Sequence, residues 1–408
     1  MQHKTDKKRT VLVRLSKRLK MQRTLSIVMV VFLYACGGGG GGSSMSPAPQ
    51  ENSSSPSTTV SDCSVLVEES SQLIAWPGLN WEIANPESLG LCPDEINQAM
   101  DYAFQEGNST GAVLIIKNGF IVAEKYASDK MFLDLVTSWS VAKSFTSALI
   151  GAALDEGLIT SIDQRVSDFI TSWKGTTKED ITLRQLLTVR TALNLLDGSD
   201  LYNADDQLEI ALQRELIGTP GNKLYEYSNA DVMIAGEVIR QATGKNADQY
   251  LSDKIESLIR ADSEWWKDPK DHVLTYCCLG STPRDFARFG LLFSRKGQWD
   301  GLEVLSSDWV ENSTSSAISG NYGFYWWPAG NEGLTALGIH GQILAIFPKQ
   351  DLVVLRFSNY TRMGDGSIIR KDSNYHSTSE PLDFNNNRFI NLVYYFTNQF
   401  SFSFFAQI

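Results

Sequence analysis

Two apolar hairpins lie near opposite ends of this chain of 408 residues. The first spans residues 112–123 and turns at Asn118-Gly119, a pair typical of tight β-hairpins. The second spans residues 343–357, and the pattern between the two hairpins is mostly helical. These features predict an α+β fold. It would contain one antiparallel sheet built from both chain ends, flanking helices, and a mostly helical insertion domain at about residues 157–300.

Apolar residues at helical spacing mark the predicted helices. The longest pattern covers residues 140–156, stops at Gly157, and is rich in small residues that permit close packing of a central helix. The shorter patterns cover residues 93–106, 183–187, 207–216, 231–243, 284–293 and 387–399. A cleft between the sheet and the helical insertion is the expected place for a functional site.

The first 35 residues are predicted to be a lipoprotein signal peptide. They hold nine Lys and Arg residues, followed by an apolar run at residues 25–33 that is too short to span a bilayer. The run leads into Cys36 in a context similar to a bacterial lipobox, where the cysteine becomes the lipidated first residue. An uncleaved signal anchor is the alternative. Either Met1 or Met21 is suited to be the first residue translated.

This start predicts an exported protein that is lipid-anchored through Cys36 on the periplasmic side of a Gram-negative-type bacterium. Gly37 after the cysteine favours the outer membrane. Residues 36–62 are rich in Gly, Ser, Pro and Thr, and this composition predicts a flexible linker. Residues 63–408 would then be the folded domain.

The chain is strongly acidic beyond its start. The whole sequence has 36 basic and 47 acidic residues, and without its first 35 residues it has 27 and 46. Such a body repels nucleic acid and anionic membrane surfaces, so we expect no nucleic-acid binding. Nothing in the sequence implies a protein partner.

Four cysteines follow the predicted lipidation site, namely Cys63, Cys92, Cys277 and Cys278. Export would allow them to form disulfides, and the sequence does not choose among the three full pairings. Their separations do not indicate zinc, because adjacent cysteines rarely supply two ligands of one tetrahedral ion. We therefore expect neither a metal nor an organic cofactor.

Ser140 and Lys143 lie three residues apart at the start of the longest predicted helix. Positions i and i+3 share one helix face, so the amine lies about one turn from the hydroxyl. A buried lysine can be neutral and can take the serine proton, and a helix N-terminus stabilises negative charge nearby. The spacing alone is weak evidence, because about two such matches are expected by chance in a chain of this composition.

Tyr227 and Asn229 form the second candidate group, in the order Tyr227-Ser228-Asn229. A phenol has an ordinary pKa of about 10 and acts as a base only where a nearby cation lowers that pKa. We expect Lys143 to have this effect on Tyr227. The competing interpretation is a turn before a helix that starts near Asp231, with Asn229 as its cap.

A third candidate segment enters the late hairpin and consists of Gly338, Ile339, His340, Gly341 and Gln342. Acyl transfer needs two N–H donors aimed at the developing oxyanion. The backbone of the nucleophile supplies one donor, and a glycine-containing strand edge beside the helix start can supply the other. A Ser-His-Asp triad that uses His340 is disfavoured, because no acidic partner can be assigned.

These motifs occur together and in order, and through them the chain resembles the serine hydrolases of the class C β-lactamase and penicillin-recognising fold. Within that family it looks most similar to the 6-aminohexanoate-dimer hydrolase and esterase-like branch. The likeness covers about residues 90–400 and is carried by residues 140–147, 227–229, 281–290, 322–327 and 338–348. It implies a β-lactamase/transpeptidase-like fold.

The resemblance also implies a role for each motif. Ser140 would be the acylated nucleophile, and Lys143 and Tyr227 would share the proton transfers. Asn229 would hold Lys143 or the substrate by a hydrogen bond.

The third segment can be aligned with the family's strand motif in two registers. In the preferred register Gly338 is the motif's glycine and Ile339 is the backbone oxyanion donor. In the rival register His340-Gly341 takes that place and Gln342 donates. The family motif is usually Lys-Thr-Gly, and this chain has no lysine at that place in either register. The resemblance therefore argues against recognition of β-lactams or D-Ala-D-Ala.

Four aromatic residues are candidates for lining the pocket, namely Trp139, Tyr325, Trp326 and Trp327. Their bulk would suit an apolar acyl pocket, and it would equally suit the core.

The sequence therefore predicts an exported serine hydrolase that cleaves an amide or ester bond of a small molecule through an acyl-enzyme on Ser140. A β-lactamase or a D-Ala-D-Ala carboxypeptidase is the alternative among enzymes. A surface-tethered binding or sensor module on the same fold is the alternative outside enzymes. Such a module would be expected to lose Ser140, Lys143 or Tyr227, and all three are present.

Overall fold

The computed structural model describes residues 73–196, 198–222, 226–315, 322–330, 333–359 and 384–394, all within the unit Ser61–Ile408. The predicted signal peptide, the predicted linker and Cys63 lie outside the described residues. No helix among the described residues is long and apolar enough to cross a membrane.

The described residues contain both predicted hairpins, with the predicted helices between and beside them, and additional short strands that the sequence did not predict. The strands are β1 (Thr110–Lys117), β2 (Phe120–Tyr126), β3 (Val136–Thr137), β4 (Ser263–Trp265), β5 (Leu279–Ser281), β6 (Gln298–Trp299), β7 (Leu302–Glu303), β8 (Trp327–Ala329), β9 (Gly333–Gly338), β10 (Gln342–Phe347) and β11 (Leu352–Ser358). The helices are α1 (Pro93–Ala103), α2 (Ala142–Asp155), α3 (Leu183–Leu187), α4 (Gly198–Asn203), α5 (Gln207–Gln213), α6 (Asn229–Thr243), α7 (Ala247–Leu251), α8 (Ser257–Ile259), α9 (Pro283–Ser294), α10 (Ser307–Thr314) and α11 (Asn386–Tyr394).

Six strands form one antiparallel sheet in the order β2-β1-β11-β10-β9-β8. At its centre β1 pairs with β11, so that Thr110 lies opposite Ser358. The early hairpin and the late hairpin are therefore neighbours in one sheet. The predicted α+β fold, with a sheet built from both chain ends, is confirmed.

The central strands are buried on both faces. On β1, Val113 and Ile115 belong to a core shared with α1 and α11, whereas Leu114 and Ile116 belong to a larger core that includes α2, α6 and α9. Successive side chains of a strand point to opposite faces, so a strand that is covered on both faces is apolar at nearly every position. The candidate site lies on the side of the larger core.

Helix α2 lies at the centre of the larger core, and all of its residues from Ala142 to Ala153 are buried. Its small residues allow close contacts, since a Cβ on Gly151 would come within 2.3 Å of the Trp309 ring. The α-helix begins at Ala142, after a 3-10 turn over Trp139–Val141. Ser140 therefore lies in the 3-10 turn that leads into α2, two residues before the α-helix begins.

The mostly helical part of the molecule lies between α2 and α9. Within it α6 packs against α2, α3 and α5. Helix α9 instead packs on β1, β10 and β11, because its apolar face lies against the sheet. Helix α9 lies within the helical insertion predicted at about residues 157–300, and the bounds of that insertion stay a prediction.

The helix predicted near Asp231 starts at Asn229. The cap of this helix is Ser228, whose side chain accepts a hydrogen bond from the backbone N–H of Asp231. Asn229 is therefore the first helical residue, and its side chain is not needed as a cap. The last predicted helix is described only to Tyr394, and its remaining residues lie outside the described part of the chain.

Candidate active site

Lys143 lies at the centre of the candidate site and is only 2% exposed. Its Nζ atom lies 2.9 Å from Ser140 Oγ, 2.8 Å from Asn229 Oδ1 and 2.7 Å from the Tyr276 carbonyl oxygen. The first two candidate motifs therefore meet in space. The Tyr276 carbonyl is a third partner that the sequence did not predict.

The contacts of Lys143 suit a neutral amine, which offers two N–H donors and one lone pair. The Asn229 oxygen and the Tyr276 carbonyl can only accept, so they take the two donors. A charged amine would donate to Ser140 Oγ as well, whereas the neutral amine leaves its lone pair for the Ser140 hydroxyl, which can then donate to it. Burial lowers the pKa of Lys143 well below its ordinary value and favours the same neutral form. The arrangement places a proton acceptor on the Ser140 hydroxyl.

Ser140 is half-buried and lies directly before α2. Its neighbour Trp139 has a φ of +45°, a left-handed conformation that is rare for residues other than glycine. Backbone strain of this kind is concentrated at functional sites, because the surrounding structure must hold it in place. The N-terminus of α2 adds a partial positive charge near the serine hydroxyl.

Tyr227 hydrogen-bonds to Ser140, and the centre of its ring lies 4.8 Å from Lys143 Nζ. The residue as a whole is 38% exposed, so its ring forms an open wall while its hydroxyl faces inward. Burial raises the pKa of Tyr227 to about 12, and the hydrogen bond to Ser140 opposes this rise only in part. The expectation that Lys143 lowers this pKa is wrong, because a lysine that burial keeps neutral carries no charge. Tyr227 is a protonated phenol at neutral pH.

A buried ion pair holds the loop that carries Tyr227 and Asn229. Arg214 Nη2 lies 2.5 Å from Asp231 Oδ1, and both side chains are almost fully buried. Ser228 joins the pair, because its Oγ accepts from Arg214 Nη1 and from the backbone N–H of Asp231, each at 3.2 Å. Since Ser228 lies between Tyr227 and Asn229, this network determines where both side chains project.

The β9–β10 hairpin brings Gly338 against the segment that precedes Ser140. A Cβ on Gly338 would come within 2.5 Å of the Ser138 carbonyl oxygen and 3.0 Å of Trp139 Cβ. Ile339, the next residue, is 54% exposed. The close approach at Gly338 favours the register in which Gly338 and Ile339 lie beside Ser140.

The rival register fits less well. A Cβ on Gly341 would meet Arg356 Nη1 at 2.6 Å, so Gly341 lies against a different part of the sheet. Gln342 is paired with Gly338 in the strand ladder, and its side-chain oxygen accepts from the Ser358 backbone N–H at 3.0 Å. These bonds make Gln342 a structural residue of the hairpin.

Sequence reasoning missed Arg356, a fully buried residue of β11. Its Nη1 donates to the carbonyls of His340 and Gly341 at 2.9 and 2.8 Å, and its Nε donates to Thr110 Oγ1 at 3.1 Å. The side chain of Arg356 thus holds the turn at residues 339–341 through the backbone carbonyls of that turn. The available signal was a charged residue within an otherwise apolar strand pattern.

Of the four aromatic residues that were predicted to line the pocket, one is half-buried and three are buried. Trp327 is half-buried and stacks on Tyr227, with ring centres 6.2 Å apart. Tyr325 and Trp326 are 2% and 1% exposed, and Trp326 packs among phenylalanines of α9. The pocket-lining prediction is wrong for these two, because their rings fill the core under the site. Trp139 is also buried, at 3% exposure, and its ring lies edge-on to other aromatic rings.

Cys277 and Cys278 are joined by a disulfide directly after Tyr276. This bond excludes the full pairings that would join either cysteine to Cys63 or Cys92. Sequence reasoning used the adjacent cysteines only to argue against zinc, although adjacency was the available signal for this bond.

One group of described residues could offer three ligand atoms to a metal ion, namely Asp206, Asp268 and His272, whose ligand atoms lie within 4.8 Å of one another. The Asp268 carboxylate accepts from the backbone N–H groups of Gln207 and His272, each at 2.9 Å. Asp206 caps α5. These bonds give the group a structural role away from the contacts of Lys143.

The sheet order and the helices on both faces define a β-lactamase/transpeptidase-like hydrolase fold. The family described as Beta-lactamase matches residues 96–372, about two thirds of the chain. The chain belongs to this family, and the resemblance inferred from its motifs is confirmed.

Three comparisons show the range of the likeness. The chain is 24% identical over 297 residues to the 6-aminohexanoate-dimer hydrolase of Paenarthrobacter ureafaciens, covering 62% of this chain and 74% of that protein. A Bacillus anthracis structure, provisionally described as a 6-aminohexanoate-dimer hydrolase, has a TM-score of 0.57 at 26% identity, over 62% of this chain and 74% of that one. A family VIII carboxylesterase structure has a TM-score of 0.57 at 17% identity, over 75% and 98%, a likeness of fold alone.

Proposed function

We propose that the protein is an exported serine hydrolase that cleaves an amide or ester bond of a small molecule through an acyl-enzyme on Ser140. The observation that carries the proposal is the position of Lys143, whose buried Nζ lies 2.9 Å from Ser140 Oγ. A serine hydroxyl is a weak nucleophile at neutral pH and needs such a base. Membership of a family of serine hydrolases supports the proposal.

In the proposed acylation, Lys143 takes the Ser140 proton as Oγ attacks the substrate carbonyl. The oxyanion accepts hydrogen bonds from the backbone N–H groups of Ser140 and Ile339. The proton passes from Lys143, by way of Tyr227, to the leaving amine or alcohol as its bond to carbon breaks. Tyr227 suits this step because its pKa of about 12 keeps the phenol protonated.

Water completes the proposed reaction. As the water oxygen attacks the acyl carbon, its proton passes through the Tyr227 hydroxyl, which accepts one proton and gives up its own, to neutral Lys143. Lys143 then returns a proton to Ser140 Oγ as the acid leaves. Asn229 and the Tyr276 carbonyl support both halves, because they occupy the two N–H donors of Lys143. These steps require neither a metal nor an organic cofactor.

The surroundings of the site favour an uncharged substrate group. Tyr227 and Trp327 stack to form an aromatic wall that is partly open to solvent. In the preferred register, the two residues before the motif glycine Gly338 are Ala336 and Leu337, where the family usually has a lysine and a threonine. Without that cation, a simple amide or ester is a better candidate substrate than a β-lactam or a D-Ala-D-Ala peptide.

Labelling with a fluorophosphonate probe tests the assignment of the nucleophile. We expect the purified protein to be labelled and the Ser140→Ala variant to be silent, with loss of hydrolysis. Ser144→Ala is the matched control, because Ser144 lies in the first turn of α2, four residues after Ser140, and its hydroxyl donates to the Tyr325 carbonyl at 2.8 Å. Labelling that persists in Ser140→Ala would contradict the proposal.

A panel of p-nitrophenyl esters, short linear amides and nitrocefin distinguishes the substrate classes. Turnover of esters or amides with no turnover of nitrocefin is the expected result. Nitrocefin turnover alone would favour a β-lactamase. A folded protein that binds a ligand but is silent to the probe would favour a tethered binding or sensor module.

We also propose that the chain is lipid-anchored through Cys36 at the outer membrane, facing the periplasm. The support is the basic start, the short apolar run and the lipobox-like context of Cys36. Radiolabelled palmitate should enter the protein in whole cells and be lost in Cys36→Ala, with Cys92→Ala as the control. Equal labelling of the Cys36→Ala variant would contradict the anchor.

A further inference from the structure

The disulfide between Cys277 and Cys278 lies against the candidate active site, with both residues at most 1% exposed. On one side of it, the Tyr276 carbonyl accepts from Lys143 Nζ at 2.7 Å. On the other side, the Cys278 backbone N–H donates to the Trp139 carbonyl at 3.3 Å. The bridged dipeptide thus directly follows the carbonyl that contacts the proposed base. It also contacts Trp139, the residue before the proposed nucleophile.

The same segment is held from behind by two tryptophans. The Trp265 indole N–H donates to the Cys277 carbonyl at 2.8 Å, and the Trp266 backbone N–H donates to the Cys278 carbonyl at 3.2 Å. Leu279 continues the segment into β5, and its N–H donates to Ser138 Oγ at 2.9 Å. The Cys277–Cys278 dipeptide therefore lies between the candidate active site and the segment that carries Trp265 and Trp266.

The backbone has unusual φ angles at this dipeptide and at the residue that it contacts. Cys278 has a φ of +68°, and the Trp139 carbonyl that it contacts belongs to a residue with a φ of +45°. Left-handed conformations are costly for residues other than glycine unless the surroundings hold them. A bond between neighbouring sulfurs closes a small ring that includes the peptide between the two residues. That ring removes much of the freedom by which the dipeptide could relax.

We propose that the Cys277–Cys278 disulfide is a positioning element of the active site, which holds the Tyr276 carbonyl on Lys143 and the Cys278 N–H on Trp139. This inference rests on the proposed function of Ser140 and Lys143. Neither sulfur takes part in acyl transfer. A dithiol reductant reverses the effect of the bridge: the S–S bond breaks, two protein thiols form, and the two thiols of the reductant become a disulfide.

The test is the Cys277→Ser/Cys278→Ser double variant, measured on the substrate that the wild type hydrolyses. We expect kcat/KM at neutral pH to fall by about tenfold or more, because small displacements of catalytic groups reduce rates steeply. We also expect the acidic limb of the pH profile to move to higher pH. Loosening this dipeptide lets water reach Lys143, and hydration favours its charged form.

The pH profile separates positioning from a merely structural role. Cys92→Ser is the matched control, because Cys92 is disulfide-bonded and lies directly before α1, so its loss should lower stability without moving the acidic limb. Loss of stability in the double variant with an unchanged pH profile and unchanged kcat/KM would overturn the proposal.

Dithiothreitol supplies a second measurement that does not depend on the folding of a variant. The wild type and Cys92→Ser should lose turnover as mass spectrometry of the alkylated Cys277–Cys278 peptide reports reduction, and reoxidation should restore it. The double variant should not respond. Full turnover by protein in which this peptide is reduced would overturn the inference. Absence of turnover or probe labelling in the oxidised wild type would instead refute the proposed function.

Discussion

Lys143 is a buried ionisable residue whose three hydrogen-bond partners are all uncharged. A charged amine at this position would lose its hydration without gaining a counter-charge from these partners, and the neutral amine is favoured instead. Folding therefore costs free energy at any pH where the unfolded chain would carry the charge. Such a cost is retained at sites where function needs it.

This cost predicts how stability depends on pH. The folded pKa of Lys143 is lowered, so above it the unfolded chain binds one more proton than the folded chain. Stability relative to Lys143→Met should therefore rise with pH between the lowered folded pKa and about pH 10.4, where the unfolded lysine deprotonates. Urea unfolding of both proteins at several pH values measures this difference. Lys174→Met, at an exposed position, is the control. A stability difference for Lys143→Met that does not change with pH would contradict the prediction.

A second prediction concerns Tyr227. In the proposed mechanism its phenol, with a pKa of about 12, protonates the leaving group. Tyr227→Phe should then lower kcat for an amide by about 10²–10⁴, the usual range for general acid catalysis. In kcat/KM, which reports acylation and not the later hydrolysis of the acyl-enzyme, a p-nitrophenyl ester of the same acid should lose much less, because p-nitrophenolate leaves without a proton. Equal losses for the two substrates would refute this role and favour a role for Tyr227 in orienting Ser140.

At the scale of elements, the β9–β10 hairpin shows where sequence patterns succeed and where they fail. Two apolar runs on either side of a short turn segment predicted β10 and β11, and the chemistry of an oxyanion site singled out Gly338. The role of Arg356 depends on β11 lying beside β10 and on the turn at residues 339–341 bending over it. Both features depend on which strands are neighbours in the sheet, and the pattern of a single strand contains no information about its neighbours.

Close packing of this hairpin on the 3-10 turn predicts the effect of a single methyl group. Gly338→Ala would place Cβ 2.5 Å from the Ser138 carbonyl, so the hairpin must move away from the nucleophile segment. We expect kcat to fall by about tenfold or more while the thermal midpoint changes little. Gly78→Ala is the control, because its Cβ would meet its nearest neighbour at an ordinary 3.6 Å. Equal kcat in both variants would show that this contact does not position the site.

At the scale of the molecule, the sequence predicted the sheet from two ends and the meeting of Ser140, Lys143 and Asn229. It did not predict the Tyr276 carbonyl, because a backbone carbonyl has no side-chain signature and only the fold brings it to Lys143. It also misjudged Tyr227, whose pKa depends on burial rather than on the nearness of an amine. Patterns thus predicted which segments meet, and the tertiary environment decides what each group does there.

The sheet order has a consequence for how the chain acquires its structure. β1 is made early, but it needs β11, which leaves the ribosome only after most of the chain. Closing so long a loop is entropically costly, and proteins dominated by such distant pairings fold slowly. A nascent or truncated chain that lacks β11 exposes an apolar strand edge, which is the kind of surface that drives aggregation. The sheet therefore cannot be completed until β11, its last strand along the chain, has been synthesised.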